Sequence, residues 1–283
     1  MTRARWAAPT ASPHATGGRG RLAAATLALA ATLAGCAPHL VRLGELVPAV
    51  RADRYRTALA GREARGAGVD AQVLLWAEFP EATRLPGAEG RLLLAGPDAF
   101  RLRVGSLFGT ALDLAARGDS LSAYVPSRRQ GVRLDARRDS LGLRRPGDLA
   151  FRALSAAWRP PAAAWEGATW RDTLLWVWWL EDHDTLGIAI GSEGLPARAS
   201  WVRPDGDGVT VSYRGWDRSP GIAWPAVFEL RDLHGAFRVT GKVSHLHFAD
   251  SVQATRLAVT IPDGAEPMSL SALRRALERL GSP

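Results

Sequence analysis

Segments in which apolar and polar residues alternate with a period of two occupy most of the chain after residue 68, and they constrain its fold more than any other feature. In one of them Phe100, Leu102 and Val104 alternate with arginines. A strand with this pattern has one apolar face and one face exposed to water. Turn-forming residues such as Pro97-Asp98 separate the segments at short intervals. Short separations predict hairpins, so we expect an antiparallel meander.

Three segments with helical spacing flank or interrupt this meander. We expect helices at Glu45–Ala60, ended by Gly61, Gly66 and Gly68, at Pro146–Trp158 and at Ser269–Leu280. The final strand is expected at Leu257–Ile261. About ten strands are predicted in all, and a sheet of that size curls or closes around a packed core or a cavity. The expected fold is therefore mainly β with flanking helices.

The segment Leu22–Leu33 is apolar but shorter than the about 20 residues that a membrane-spanning helix needs. Four arginines and no acidic residue precede it. A basic region, a short apolar region and small residues are typical of a secretion signal. The segment leads into Leu33-Ala34-Gly35-Cys36, which resembles the bacterial lipobox. This resemblance implies a lipid on the Cys36 sulfur and cleavage just before that residue; the alternative is a plain signal peptide with an incidental cysteine.

Residues 1–35 are therefore predicted to be a lipoprotein signal peptide, residues 36–45 a tether and residues 46–283 a single domain. An apolar fraction of 47% supports a real core. Loss of the four signal arginines lowers the formal net charge from +8 to +4. The remaining basic residues are interleaved with acidic ones, and no basic stripe with aromatic residues is present. We therefore expect no nucleic-acid partner.

The triplet Asp182-His183-Asp184 contains residue types that bind metals. It lies between two apolar segments, where a hairpin turn is expected. We therefore interpret it as a solvated turn.

His245 and His247 lie two apart, so they share one face of a strand, as metal ligands can. An unbroken strand places them on the apolar face, whereas a bulge near Ser244 gives that face to Leu246 and Phe248. The bulge is favoured, and no metal or other cofactor is predicted.

No catalytic motif stands out. The only cysteine is Cys36, so paired cysteines are absent. Gly191-Ser192-Glu193-Gly194 has the wrong spacing for a nucleophile elbow, and the sequence has no phosphate loop and no zincin helix. We expect a protein that is not an enzyme; a hydrolase assembled from distant strands is the least favoured reading.

Several segments, taken in order, resemble the LolA/LolB superfamily of lipoprotein carriers. Residues 90–94 (GRLLL) and 97–102 (PDAFRL) are similar to the family's hairpin of an apolar strand, a proline and Phe-Arg-Leu. Residues 119–131 (DSLSAYVPSRRQG) resemble its Tyr-x-Pro strand pair, and residues 257–264 (LAVTIPDG) its last strand. The resemblance covers about residues 45–268. The C-terminal helix and the Trp-rich middle segment depart from it.

The resemblance implies an unclosed antiparallel β-barrel whose apolar concave face is lidded by helices and takes the acyl chains of lipoproteins or lipids. A curled sheet with one apolar face agrees with this expectation. Trp176 and Trp178 share one face of the segment LLWVWWL, which is apolar on both faces and must be covered on both. They form either packed core or an indole lining of the cavity. The expected lining residues are Phe100, Leu102, Val104, Trp176 and Trp178.

Gly105-Ser106-Leu107-Phe108-Gly109 is expected at a hairpin tip, where polar residues are usual. In LolB-like relatives an apolar residue that protrudes from an early hairpin loop is implicated in inserting cargo into the membrane. By that resemblance Leu107 and Phe108 form a membrane-contact loop. The alternative is that they cap the barrel.

Two functions follow. The first is a monomeric, membrane-anchored carrier or acceptor of acyl chains in lipoprotein or lipid transfer; the second is a structural or interaction lipoprotein of the envelope with a filled core. Ala37 follows Cys36 in place of the aspartate that retains enterobacterial lipoproteins at the inner membrane. By that resemblance the protein is expected in the outer membrane, facing the periplasm.

Overall fold

The structure is a computed structural model. It describes residues 45–65, 68–80, 87–107, 109–138, 145–218, 221–269 and 272–273. The predicted signal peptide, the lipobox with Cys36 and almost all of the tether lie outside the described residues. So do Phe108 and most of the predicted C-terminal helix, of which Ala272 and Leu273 are described and helical.

All described strands join in one sheet. Fifteen strands are described: β1 Glu45–Leu46, β2 Gly68–Glu78, β3 Ala88–Ala95, β4 Ala99–Ser106, β5 Gly109–Arg117, β6 Ser120–Val125, β7 Gln130–Asp135, β8 Thr169–Arg171, β9 Leu174–Glu181, β10 Asp184–Ile190, β11 Pro196–Val202, β12 Gly208–Asp217, β13 Trp224–Asp232, β14 Arg238–Phe248 and β15 Glu266–Pro267. Their order across the sheet is β1-β8-β9-β10-β11-β12-β13-β14-β2-β3-β4-β5-β6-β7-β15. Every pair is antiparallel except β15 with β7. The predicted fold class, an unclosed antiparallel sheet with flanking helices, is confirmed.

The prediction of about ten strands was too low. Three of the additional strands, β1, β8 and β15, are only two or three residues long. Segments this short show no period, so neither alternation nor composition marks them.

Two α-helices are described in full, α1 at Ala49–Arg65 and α2 at Pro146–Ser155. The predicted start of α1 at Glu45 was wrong, because Glu45 and Leu46 form β1 and the helix begins at Ala49. The helix continues five residues beyond its predicted last residue, Ala60, and ends at Arg65, just before Gly66. Glycine inside a helix costs about 1 kcal/mol, but Arg62, next to Gly61, is buried, and its guanidinium donates to Ala223 O at 2.7 Å and to Ser155 O at 3.2 Å.

The helix α2 ends three residues before its predicted end. Ala156 has a left-handed backbone conformation with φ 55°, which stops the helix. Beyond the stop, the Trp158 indole Nε1 donates to Tyr213 Oη at 2.7 Å, and Tyr213 Oη donates to Ala153 O at 2.9 Å. None of the described helices is long and apolar enough to cross a membrane.

The sheet has an inner face, on which the helices lie, and an outer face. Strand pairing puts alternate side chains on the inner face, where they form three apolar clusters. The first covers β8–β13 and holds Tyr55 and Leu59 of α1. The second covers β2–β4 and holds Phe151 of α2. The third covers β4–β7 and holds Met268 and Leu273.

The predicted bulge in β14 is present. The register between β14 and β2 shifts between Ser244 and His247, and His245 has φ 48°. After the shift, Leu246 and Phe248 pack against the second cluster, as expected. The bulge thus returns apolar side chains to the inner face and leaves both histidines exposed.

The predicted last strand at Leu257–Ile261 was wrong. Ala254–Leu257 form a 3-10 turn and residues 258–261 have no strand partner. The segment instead crosses the outer face: Arg256 donates to Asp70 of β2 at 2.7 Å, and Ile261 fills the space beside Gly131 of β7. The alternating apolar residues of this segment therefore belong to a stretch that covers the sheet and not to a strand.

Candidate functional site

The inner face between α2 and the C-terminal segment is the candidate site. Phe100, Leu102 and Val104 of β4 all point to this face and belong to, or pack against, its apolar clusters. Phe100 and Val104 are buried, with 7% and 1% exposure. Leu102 is only half-buried. Of the three predicted lining residues on β4, Leu102 alone leaves apolar surface free.

Leu102 belongs to a group of half-buried side chains that we call the aliphatic patch. All its members lie on the inner face and pack against at least one apolar cluster. Leu75 touches all three clusters, and so lies at their junction. The patch consists of Leu75, Leu102, Leu114, Leu134 and Val243.

Gly90 lies beside this patch. It pairs with Val104 in β4 and with Val73 in β2. A Cβ atom at Gly90 would lie 3.0 Å from Arg103 O, 3.3 Å from Val73 Cγ2 and 3.5 Å from Leu102 Cδ1. Neighbouring atoms therefore already fill the space at Gly90, and a larger residue there would have to displace them.

The other half of the inner face is sealed. Leu175 and Val177 of β9 and Ile188 of β10 are fully buried. The helix α1 and the indoles of Trp158 and Trp165 pack over them. This half also holds half-buried apolar side chains, such as Trp201 and Leu230, but the inner side chains of β9 and β10 are all buried.

An ion cluster sits between α2 and the sealed half. Arg152 Nε donates to Asp148 Oδ1 at 3.0 Å, and its two Nη atoms donate to the carboxylate oxygens of Glu181, each at 3.0 Å. Trp179 Nε1 also donates to Glu181 Oε2, at 3.2 Å. One guanidinium therefore ties α2 to the end of β9.

The two carboxylates respond to this environment in opposite directions. Burial raises the pKa of Asp148, and the attraction of Arg152 only partly offsets it. Burial also acts to raise the pKa of Glu181, but the bidentate bonds from Arg152 bring that pKa below its ordinary value. The cluster is a structural clamp, because each carboxylate is committed to the same guanidinium.

A second cation, Arg62 of α1, is buried. Burial lowers the pKa of its guanidinium to about 10. The guanidinium lies 4.7 Å from the centre of the Trp216 ring, a cation–π contact. Arg62 thus joins α1 to the last residue of α2, to the segment before β13 and to β12.

Trp176 and Trp178 do not line the candidate site, which corrects the prediction. They lie on the outer face of β9, because Leu175, Val177 and Trp179 take the inner one. The two indoles stack with their ring centres 5.6 Å apart. The alternation in the sequence assigns the two tryptophans to one face of β9 and Leu175, Val177 and Trp179 to the other. It does not show which of the two faces is turned inward, because both are apolar.

Leu107 lies at the tip of the β4–β5 hairpin and is 97% exposed. It does not fold back onto the barrel end. Its predicted partner Phe108 and the acylation site Cys36 fall in the part of the chain that is not described.

The histidines of β14 face a groove of about 920 Å³ on the outer face, together with Arg91 and Lys242. This groove has charged side chains in its wall and lies on the opposite side of the sheet from the aliphatic patch. Among the described residues no group of three or more His, Cys, Asp or Glu side chains could hold a metal ion. The Asp182-His183-Asp184 triplet is a tight turn, with positive φ at its first two residues.

The aliphatic patch offers only apolar side chains, and no charged side chain belongs to it. The sequence analysis predicted Leu102 but missed Leu75, Leu114, Leu134 and Val243, all of which lay within predicted or adjacent strand patterns. Gly90 was the one available signal, since a glycine inside a strand often marks a close approach of neighbouring groups.

No family model and no curated protein matches the chain. Among solved structures, a LolA superfamily protein from Nitrosomonas europaea has a TM-score of 0.51 at 14% identity, over 72% of this chain and 97% of that one. A structure described as an outer membrane lipoprotein-sorting protein domain from Vibrio parahaemolyticus gives 0.46 at 10% identity, over 73% and 97% of the two chains. A DUF1329 family protein from Desulfovibrio piger gives 0.48 at 7% identity, over 75% and 99%. The fold is therefore LolA-like.

Proposed function

We propose that this chain is a lipoprotein of the outer membrane, anchored through Cys36 and facing the periplasm, that holds an acyl chain against the aliphatic patch. It acts as a monomeric, non-catalytic carrier or acceptor in lipoprotein or lipid transfer. The observation that carries the proposal is the row of half-buried aliphatic side chains on the inner face of a LolA-like sheet.

The physical reason is the free apolar surface. A half-buried leucine leaves part of its side chain in contact with water, which costs about 25 cal/mol per Å² of apolar surface. An acyl chain laid over the patch removes that surface from water together with its own, at about 0.8 kcal/mol for each buried CH₂ group. The uncharged patch takes hydrocarbon and rejects polar ligands.

The anchor is proposed from the sequence. Two or more acyl chains on Cys36 give stable membrane attachment, whereas one chain binds only reversibly. Replacing Cys36 with serine removes the acceptor sulfur, so incorporation of labelled palmitate should be abolished. Equal incorporation in the wild type and in Cys36→Ser would refute the anchor.

A second candidate is a non-catalytic structural or interaction lipoprotein with a filled core. The sealed half favours it, because the inner side chains of β9 and β10 are already fully buried. The two candidates differ in whether the aliphatic patch has an occupant.

The test is lipid that co-purifies after gentle extraction, identified by mass spectrometry. Leu114→Trp fills the patch and should lower the bound lipid several-fold while the chain stays folded. Thr240→Trp is the matched control, because it adds similar bulk on the outer face of β14 and should leave the bound lipid unchanged. Absence of lipid from the wild type, or equal lipid in Leu114→Trp, would favour the filled core.

A further inference from the structure

The outer face carries an apolar surface of its own, on the strands next to β1. Trp178, Leu180 and Leu233 are 37%, 74% and 44% exposed, and they are three of the five large apolar side chains that are exposed in the described part of the chain. Trp176 stacks on Trp178 and extends the surface along β9. Val202 lies between Leu180 and Leu233 and is half-buried. We call these five residues the outer patch.

The pairing of the strands places the outer patch in a continuous row. Leu180 pairs with Thr185, Thr185 with Val202, and Val202 with Gly208. Leu233 N donates to Gly208 O at 3.0 Å. The row therefore crosses five neighbouring strands, β9 to β13, which corresponds to about 19 Å at the usual spacing of strands.

Glycines make this surface flat. A Cβ atom at Gly187 would lie 2.2 Å from the Trp178 ring, and one at Gly208 would lie 2.9 Å from Leu233 Cδ1. Both large side chains therefore occupy the space that the side chain of a neighbouring strand would fill. A flat apolar surface suits a planar partner better than it suits an inserted segment.

The place where the described chain begins indicates the partner. Leu46 of β1 pairs with Thr169 of β8, and Thr169 pairs with Trp176. The chain that leads back from Glu45 to Cys36 thus leaves the sheet two strands from the outer patch. Nine residues reach at most about 30 Å, so an acylated Cys36 keeps the outer patch close to the surface of the bilayer.

The side chains fit a bilayer surface. An indole has an apolar body and a polar N–H, and tryptophan is enriched at the level of the lipid headgroups. Arg171 of β8 and Arg198 of β11 are exposed on the outer face, on strands to either side of Trp176. Arginines in that position attract anionic headgroups.

We propose that the outer patch rests on the lipid bilayer that holds the anchor. The proposal rests on the proposed anchoring at Cys36 and adds an orientation to it: the outer face of β9–β13 lies against the membrane and the inner face, with the aliphatic patch, turns away from it.

The test uses the acylated full chain on vesicles of phosphatidylethanolamine and phosphatidylglycerol. Because Cys36 is the only cysteine and its sulfur is consumed by acylation, an introduced cysteine is the only free thiol. Leu180→Cys and Leu233→Cys place an environment-sensitive fluorophore in the outer patch. Ser127→Cys is the control, since it is exposed in the turn between β6 and β7, near the opposite edge of the sheet from β1.

On vesicles whose lipids carry a nitroxide near the headgroup, the labels at 180 and 233 should shift to the blue and lose emission several-fold more than the label at 127. Equal quenching at the three positions would overturn the proposed orientation. A blue shift without quenching by the lipids would assign the outer patch to a protein partner and would also overturn it. The intact mass reports on the anchor separately: a chain that lacks the lipid mass refutes the proposed function, and the orientation with it.

Discussion

The two halves of the inner face are built from the same kind of strand, yet they are closed to different degrees. In the half formed by β8–β13, helix α1 and two indoles cover side chains that are fully buried, such as Ile188. In the half formed by β2–β7, Leu92, Leu94 and Leu112 are buried as well, but other leucines, such as Leu114, are half-buried. The strand pattern is alike in both, so the difference comes from what lies over the strands. One LolA-like sheet therefore carries both side chains that are closed off from water and side chains that keep apolar surface exposed to it.

The clamp at Arg152 joins the two halves, so breaking it should have the largest effect. Arg152→Ala leaves the Asp148 carboxylate buried without a cation and should lower the free energy of unfolding by about 3–5 kcal/mol. Urea denaturation measures this loss. Arg214→Ala is the control: its guanidinium is 66% exposed and 3.5 Å from Glu229, so the loss should stay within about 0.5 kcal/mol. Similar losses in both variants would mean that the clamp does not hold α2.

The two halves should respond differently to truncation. Ile188→Ala opens a cavity in the sealed half and should cost about 2–5 kcal/mol. Leu114→Ala removes a side chain that is already half-exposed to water, so it should lower the free energy of unfolding by about 1 kcal/mol. It should also change the amount of bound lipid clearly. Denaturation midpoints at constant slope give both values. A cost for Leu114→Ala as large as that for Ile188→Ala would indicate that both halves are packed core.

The clamp should also give the stability a pH dependence of smaller size. The pKa of Glu181 is lower in the folded chain than its ordinary value, so its contribution is present above the unfolded pKa and is lost as the pH falls through the folded pKa. The pKa of Asp148 is raised in the folded chain. Its effect on stability therefore has the opposite sign: stability falls as the pH rises from the ordinary pKa of Asp148 through its raised pKa. Glu181→Gln should therefore weaken the loss of stability in acid, and Asp148→Asn should not. Thermal unfolding from pH 3 to pH 7 separates the two, and identical profiles for both variants would contradict these assignments.

The exposed hairpin tip should contribute least to stability. Leu107 is 97% exposed, so changing Leu107 and Phe108 together to serine should alter the free energy of unfolding by no more than about 0.5 kcal/mol. If the tip contacts lipid, liposome association should fall at the same time. A large loss of stability with liposome association intact would show that the tip caps the core.

Much of the fold could be predicted because local alternation records which side chains share a face. The strands around Phe100, the bulge after Ser244 and helix α2 all carry patterns that depend on the residues themselves and their immediate neighbours. The aliphatic patch could not be predicted in the same way. Leu102 and Val104 have the same place in the pattern of β4, and only their surroundings make one half-buried and the other buried.

The sequence by itself determined that the chain forms an antiparallel sheet with one apolar face, because a period of two in side-chain character is a property of the strand alone. It also contains the features that predict a lipid anchor at Cys36. Only the tertiary structure decided which face of β9 turns inward, since a strand apolar on both faces has no preferred side until its neighbours pack against it. The same holds for the segment at Leu257–Ile261, which covers the sheet in place of joining it. In each case the deciding contact lies far away in the chain, and local sequence carries no information about it.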